Sequence, residues 1–190
     1  MRETLLTPVT DANLALQALK DGNKRFVEGK PSVKDDVADR KATAGGQKPY
    51  AIILTCADSR CSPEIYFDQR IGEIFVLRNA GNFATDVELG SMEFATLVLG
   101  APLVVVVGHA GCGAVDNALK NTPGLPPALA GVLDNIKPGI AGSADLRTAT
   151  DANAKKVVET VKANKAIKDQ GIKVVAAYYD FETGVVSFLD

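Results

Sequence analysis

The sequence predicts an α/β fold: a central, mostly parallel β-sheet flanked by helices, with an added antiparallel edge strand and an N-terminal helical arm. Four short runs rich in β-branched residues lack polar alternation, which is typical of strands buried on both faces of a parallel sheet. Helical patterns separate these runs, as in α/β domains. The runs are residues 50–55, 73–77, 103–107 and 173–177.

The first predicted element is an amphipathic helix over residues 11–27. Apolar residues, among them Leu16 and Leu19, recur near one face, and Gly29 stands where the helix can stop. Residues 30–48 are polar and contain a Gly-Gly pair, a composition that predicts a shorter helix followed by a loop.

Capping signals predict two further helices. Thr85 and Glu88 form a capping box that opens a helix through Leu99. Thr150 and Asp151 are the predicted N-terminal caps of another helix, whose apolar positions fall on one face. Those positions are Ala154, Val157, Val158 and Val161.

The last predicted element is a β-hairpin over residues 179–189, with Glu182-Thr183-Gly184 as its turn. Its second strand is expected to extend the sheet in the antiparallel direction. Residues 121–147 are rich in Pro, Gly and Ala and give no clear pattern.

The composition fits one globular domain of ordinary size, since 46% of the 190 residues are hydrophobic and can bury a sizeable core. We interpret residues 1–190 as one domain, in which residues 1–45 form the helical arm and residues 46–190 form the α/β core. The formal net charge of −2 indicates no basic surface. Neither nucleic acid nor a membrane is therefore expected as a partner.

The sequence also predicts a location. Residues 1–10 lack the apolar run of a secretory signal, and no stretch approaches the ~20 apolar residues of a membrane span. The three cysteines are an odd number, which suits reduced thiols or metal ligands better than a disulfide framework. We expect a cytoplasmic protein, although a periplasmic form whose signal has been removed stays open.

Metal-ligating residue types follow two of the predicted strands. Cys56 comes directly after the run 50–55, and His109, the only histidine, comes after the run 103–107 and three residues before Cys112. Ligands collect beyond the carboxyl ends of strands in open α/β sheets, so these side chains are expected to converge. Thiolate and imidazole are zinc ligands, and the sequence therefore predicts one zinc ion at this place.

Other interpretations fit this placement less well. A lone buried cysteine is usually an inert small hydrophobe, and a lone histidine is usually a hydrogen-bonded core or surface group. A purely structural zinc is an alternative, but such sites favour four Cys or His donors, and only Cys61 is left to complete the set. An open fourth position, or one filled by the carboxylate of Asp58, fits better.

Asp58 and Arg60 are two residues apart, close enough in a turn for a bidentate carboxylate–guanidinium pair. If Arg60 holds Asp58, the carboxylate is drawn away from the metal and water can take the fourth position. The alternative interpretation is a simple ion pair that stabilises the turn. Because Asp58 stands only two residues after Cys56, we favour the interpretation in which the pair keeps the fourth metal position open.

Three segments together resemble the signature of the β-class carbonic anhydrases: Cys56-Ala-Asp-Ser-Arg60, Arg78-Asn-Ala-Gly-Asn82 and His109-Ala-Gly-Cys112-Gly. The resemblance implies an α/β fold built on homodimers, with tetramers also open, and zinc held by Cys56, His109 and Cys112. It implies further that Asp58 pairs with Arg60 in the active arrangement and coordinates zinc only in a closed state.

The resemblance also implies residues that bind substrate. Gln47 lies nine residues before Cys56, where family members with a permanently open zinc site carry a glutamine that hydrogen-bonds substrate. Phe75 and Ala80 correspond to positions around the substrate. The allosteric type of the family has a bicarbonate pocket involving a tryptophan, and this sequence contains no Trp, which favours the open type.

Three positions depart from the family pattern, one of them Ala80, which stands where a larger aliphatic residue is common. Phe94 stands where tyrosine is common, so a hydroxyl group near the site is missing. Cys61 stands where a larger aliphatic residue is common; we interpret it as an unligated thiol in the pocket wall, with an oxidation-sensitive site as the alternative. Core packing alone could explain Phe75, and Gln47 could be an ordinary loop amide.

The predicted function is that of a carbonate dehydratase, the reversible hydration of carbon dioxide to bicarbonate and a proton. Zinc supplies hydroxide near neutral pH, Asp58 accepts its proton in a hydrogen bond, and Gln47 donates to a substrate oxygen. Two alternatives stay open. They are hydrolysis of carbon disulfide or carbonyl sulfide on the same fold, and a non-catalytic zinc- or redox-responsive module.

Overall fold

The four apolar runs form neighbouring strands of one sheet in the computed structural model, which describes residues 9–189. The strands of the described part are β1 (Ala51–Cys56), β2 (Ile74–Asn79), β3 (Leu103–His109), β4 (Lys173–Tyr179) and β5 (Val186–Leu189). Their order is β2-β1-β3-β4-β5, and only the pairing of β5 with β4 is antiparallel. The predicted fold class and the predicted hairpin are therefore confirmed. The part of the predicted arm at residues 1–8 lies outside the described residues.

The strands are mostly apolar because both faces of the sheet are covered. Successive side chains of a strand point to opposite faces. Ile53 and Val105 pack into the core on one face, whereas Leu54 and Val106 pack into the core on the other. Burial of both faces removes the polar alternation of a half-exposed strand.

Helices cover the two faces of the sheet. The helices of the described part are α1 (Ala12–Val27), α2 (Asp36–Ala42), α3 (Pro63–Tyr66), α4 (Asp86–Leu97), α5 (Gly113–Leu119), α6 (Pro127–Ile140), α7 (Leu146–Ala163) and α8 (Lys165–Asp169). Buried apolar residues of α1, α3, α5 and α6 join the core on one face, as does Ala149 near the start of α7, whereas those of α4, α8 and the rest of α7 join the core on the other. Within residues 9–189, none of the helices has both the length and the apolarity that crossing a membrane requires.

The capping signals predicted one helix start correctly and another wrongly. The capping box of Thr85 and Glu88 opens α4 as predicted, although the helix ends at Leu97 and not at Leu99. Thr150 and Asp151 do not cap α7, which begins earlier and contains both residues.

The start of α7 is set by Asp145. The carboxylate of Asp145 accepts a hydrogen bond from the Thr148 amide at 2.8 Å, and Thr148 completes a capping box. The hydroxyl of Thr150 donates to the carbonyl oxygen of Leu146 at 2.8 Å, within the helix. The apolar positions that predicted the helix begin only at Ala154, about two turns after the helix starts, so they do not mark its first residue. The predicted apolar positions are buried: Ala154, Val157, Val158 and Val161.

A buried carboxylate fixes the N-terminal helix and the segment after it to the core. Arg25 Nε lies 2.6 Å from Asp68 Oδ2, which also accepts from the Ser32 amide at 3.0 Å. Lys34 Nζ lies 3.1 Å from Asp68 Oδ1. Burial alone would raise the pKa of Asp68, but Arg25, Ser32 and Lys34 together hold it well below its usual range. These contacts tie α1 and the following loop to the end of α3.

Candidate metal centre

Three of the predicted site residues meet at the carboxyl ends of two adjacent strands. Cys56 is the last residue of β1, His109 is the last residue of β3, and Cys112 is the N-cap residue of α5. The two sulfur atoms and an imidazole nitrogen lie within 4.8 Å of one another. All three side chains are buried. The three residues form the cluster that we call the candidate metal centre.

The imidazole of His109 presents a free nitrogen to this cluster. Nδ1 lies 2.9 Å from the carbonyl oxygen of Ala110, and since a carbonyl oxygen can only accept, we assign the proton to Nδ1. Nε2 then carries a lone pair, is buried, and has no hydrogen-bond partner among the described residues. An unpartnered buried acceptor is costly, and metal coordination through Nε2 would satisfy it.

The two cysteines shift each other's pKa in opposite directions. A hydrogen bond from Cys112 holds the pKa of Cys56 well below the usual thiol value against the opposing effect of burial, and the Gly81 amide, 3.3 Å from Cys56 Sγ, adds to this. The same bond to Cys56, together with burial, raises the pKa of Cys112. Two sulfur donors and one imidazole are a donor set that suits zinc, so the residues present fit this metal.

Arg60 binds the carboxylate of Asp58 in the bidentate manner that the spacing predicted. Arg60 Nε lies 2.9 Å from Oδ1 and Nη2 lies 2.8 Å from Oδ2, while the Arg60 amide donates to Oδ1 at 3.0 Å. This pairing holds the pKa of Asp58 well below its usual range. Among the described residues the metal-ligating cluster has three members, and Asp58 is not one of them. The carboxylate is thus held by Arg60 and not by the cluster.

Arg78 supports the same loop, a contact that the sequence analysis missed. Its Nε donates to the carbonyl oxygen of Cys56 at 3.1 Å, and its Nη2 donates to that of Asp58 at 2.6 Å. The segment from Arg78 to Asn82 carries part of the family resemblance, but that pattern alone assigns no role to the arginine. Arg78 fixes the backbone from which Cys56 and Asp58 project.

Phe181 is a second neighbour that the sequence did not indicate. Its ring centroid lies 5.1 Å from that of His109 and 4.1 Å from Cζ of Arg60. The contacts depend on how the turn of the last hairpin folds over the sheet edge, so local sequence carries no signal for them.

Two other predicted residues lie beside the cluster. Ala80 is exposed in the turn that precedes Gly81, whose amide contacts Cys56. Cys61 is completely buried, and burial together with the nearby Cys56 and Asp58 raises its pKa to about 12. Cys61 therefore remains a protonated thiol outside the metal-ligating cluster.

The structure does not bring Gln47 or Phe75 to the cluster within one chain. Gln47 is exposed in the loop before β1, and the whole strand of six residues, at about 3.3 Å per residue, separates it from Cys56. Phe75 lies near the amino end of β2 and packs against the core on the opposite face of the sheet from Cys56. Phe94 is 49% exposed on α4.

Comparison with known proteins agrees with this arrangement. The family model described as carbonic anhydrase matches residues 51–186, well over half of the chain. Carbonic anhydrase 2 of Mycobacterium tuberculosis is 50% identical over 113 residues, which are 59% of this chain and 55% of that protein. The carbonic anhydrase of Pseudomonas aeruginosa is 32% identical over 171 residues, covering 79% of this chain and 77% of that protein.

Solved structures share the fold. The tetrameric β-carbonic anhydrases of Sordaria macrospora include a chain that superposes with a TM-score of 0.73 at 22% identity, covering 93% of this chain and 94% of that one. The match to the mycobacterial relatives spans about half of their length, 55%. From the family model, the relatives and the shared fold, we conclude that the chain belongs to the β-class carbonic anhydrase family.

Proposed function

We propose that this chain is a zinc-dependent carbonate dehydratase, which catalyses the reversible hydration of carbon dioxide to bicarbonate and a proton. The observation that carries the proposal is the buried cluster of Cys56, His109 and Cys112, in which Nε2 of His109 has no partner among the described residues. Asp58 stands beside this cluster and is held by Arg60.

The three cluster residues would hold one zinc ion per chain through two sulfur atoms and Nε2. Catalytic zinc sites use three protein ligands and keep a fourth position open. Zinc in such a site supplies Lewis acidity that lowers the pKa of a water molecule to near neutrality.

Asp58 and Arg60 are the proposed catalytic residues. Oδ1 of Asp58 accepts from the amide and from Nε of Arg60, whereas Oδ2 accepts, among residues 9–189, one hydrogen bond from Nη2 and keeps a lone pair. Because the pKa of Asp58 lies below its usual range, the carboxylate is ionised near neutral pH. It can then accept a hydrogen bond from the attacking oxygen and aim the remaining lone pair of that oxygen at carbon dioxide.

The proposed substrate contacts require more than one copy of the chain. Gln47 and Phe75 lie away from the cluster of their own chain, so they can line the substrate site only if a second copy brings them there. We therefore propose a homodimer or a tetramer, in which Gln47 donates to a substrate oxygen and Phe75 and Ala80 line the space around it. The Sordaria relatives are described as tetrameric.

Cys56, Cys61 and Cys112 are free thiols, as is usual for proteins in a reducing compartment. We therefore propose a cytoplasmic location. We also propose that residues 1–45 act as an arm of a single domain whose α/β core is residues 46–190.

Metal analysis combined with stopped-flow hydration of carbon dioxide tests the proposed function. We expect about one zinc per chain, hydration that is lost on chelation, and recovery on adding zinc. Carbon disulfide and carbonyl sulfide are tested in parallel. Faster turnover of either would reassign the substrate, and stoichiometric zinc with no turnover of any of the three would indicate a non-catalytic module.

A further inference from the structure

Phe181 lies between a candidate metal ligand and the pair that holds Asp58. On one side its ring centroid is 5.1 Å from the imidazole of His109. On the other side Cζ of Arg60 is 4.1 Å from the same centroid, well within cation–π distance. Tyr179 packs edge-on against the ring at 5.3 Å.

The backbone of Phe181 is held in a well-bonded turn between β4 and β5. The carboxylate of Asp180 accepts from both the amide and the hydroxyl of Thr183, each at 2.8 Å, and the Gly184 amide donates to the Asp180 carbonyl oxygen at 2.9 Å. The half-buried ring of Phe181 also packs against the core on the face that contains the cluster. The turn therefore gives the ring a fixed position.

Arg60, in contrast, has little else to hold it. Its side chain is 58% exposed, and within the described part of the chain its hydrogen bonds and ion pair go to the Asp58 carboxylate and its cation–π contact to the Phe181 ring. An exposed ion pair alone constrains two flexible side chains only weakly.

We propose that Phe181 is a positioning residue: its ring seats the Arg60 guanidinium and thereby keeps the Asp58 carboxylate turned away from Cys56, His109 and Cys112. The inference rests on the proposed function and names the residue that maintains the open arrangement. Without the ring, Arg60 moves into solvent more often. Asp58 then keeps only its bond from the Arg60 amide, 3.0 Å long, and is free to turn toward the metal position.

The test compares zinc-loaded wild type with Phe181→Leu and Phe181→Trp. A matched control is Phe188→Leu, because Phe188 lies in the same hairpin and also faces a cation, Lys20 Nζ at 5.2 Å. The first readout is solvent exchange of the Arg60 Nε–H, followed by NMR. The second is the kcat of carbon dioxide hydration at measured zinc content.

We expect Phe181→Leu to speed Nε–H exchange and to lower kcat by about two- to fivefold, the range that one exposed cation–π contact supports, with zinc content unchanged. Phe181→Trp should restore both values, and Phe188→Leu should change neither. Unchanged Arg60 exchange in Phe181→Leu, or an equal effect of Phe188→Leu, would overturn the assignment. If wild type shows no hydration, the proposed function fails, while the exchange measurement still decides the role of Phe181.

Discussion

Arg60 binds both carboxylate oxygens of Asp58, through Nε at 2.9 Å and Nη2 at 2.8 Å, although the Arg60 side chain is 58% exposed. An exposed pair of this kind contributes little to stability. Its importance is that it sets the direction of a carboxylate that stands two residues after Cys56.

Removal of the guanidinium should inactivate the protein without removing its metal. In Arg60→Ala, Asp58 loses both side-chain bonds and is free to coordinate zinc in the fourth position. We expect kcat for carbon dioxide hydration to fall by at least about 100-fold, the lower range for a lost acid–base group, at unchanged zinc content. Stopped-flow assay and metal analysis measure the two quantities.

A second arginine provides the control. Arg147 also pairs with a carboxylate, Asp151 Oδ2 at 2.9 Å, and its Cζ lies 3.6 Å from the ring centroid of Tyr178. Arg147→Ala should leave kcat within about twofold of wild type, since surface changes of this kind have small effects. Comparable losses in both variants would show that Arg60 acts through general stability.

The two buried thiols Cys112 and Cys61 should differ in their effect on zinc. Both side chains are completely buried, but only Cys112 belongs to the cluster. Cys112→Ser should weaken zinc binding by at least about 100-fold, since even changes outside the ligand shell cost about 10- to 100-fold. Cys61→Ala should retain zinc. Equal zinc content after dialysis against a chelator in the two variants would contradict the ligand assignment.

Gly81 is expected to tolerate no side chain. Its φ is +94°, and an added Cβ would lie 2.4 Å from Cδ1 of Ile136, which is completely buried. Gly81→Ala should therefore lower the free energy of unfolding by about 1–3 kcal/mol and weaken zinc binding, because the Gly81 amide contacts Cys56 Sγ. Guanidinium chloride unfolding and a chelator competition assay measure these effects.

Gly131 serves as the comparison for Gly81. It lies inside α6 with open space where a Cβ would be. Gly131→Ala should raise the free energy of unfolding by about 0.5–1 kcal/mol, because alanine favours a helix interior. If Gly81→Ala were equally well tolerated, the close packing at the turn after β2 would be disproved.

Asp68 should stabilise the protein in a pH-dependent way. Its pKa in the folded state lies below the unfolded value of about 3.9, so its contribution is complete above that value and is lost as pH falls through the folded pKa. Asp68→Asn should cost about 1.5–3 kcal/mol of unfolding free energy at pH 7. The difference from wild type should shrink below about pH 4.

Urea unfolding of both proteins at pH 7 and pH 3 measures this difference. Glu28→Gln is the control, because Glu28 is 43% exposed and its nearest cation, Lys30 Nζ, is 3.7 Å away. That change should alter stability by less than about 0.5 kcal/mol. A cost for Asp68→Asn that is the same at both pH values would contradict the assigned ion pairs.

The sheet was predictable from sequence because its signal is local. Each of the four parallel strands contains a run of at least four apolar residues, and both faces of the sheet are covered by helices. The capping box that begins α4 was predictable because its two residues, Thr85 and Glu88, are only three positions apart in the sequence. Helix α6 was missed because Pro127 and Pro138 weaken the helical pattern, although Pro127 stands at the first turn, where a missing amide costs nothing.

The candidate metal centre was predictable because two of its residues lie at the ends of predicted strands. Cys56 and His109 are the last residues of adjacent parallel strands, so topology alone brings them together. Arg78 and Phe181 were not assigned roles because their contacts, to backbone carbonyls and to the Arg60 side chain, arise only from tertiary packing. Gln47 lies at the opposite end of β1 from Cys56, as the predicted strand between them implies, so sequence could place it near the cluster only through the family resemblance.

Anomalous diffraction at the zinc edge, from crystals of the zinc-loaded protein at neutral pH, tests the central claim most directly. We predict one zinc ion per chain bound by Cys56 Sγ, Cys112 Sγ and His109 Nε2, with a solvent oxygen as the fourth ligand and Asp58 still paired with Arg60. Zinc bound elsewhere, or a fourth protein ligand that closes the site in the wild type, would contradict the account.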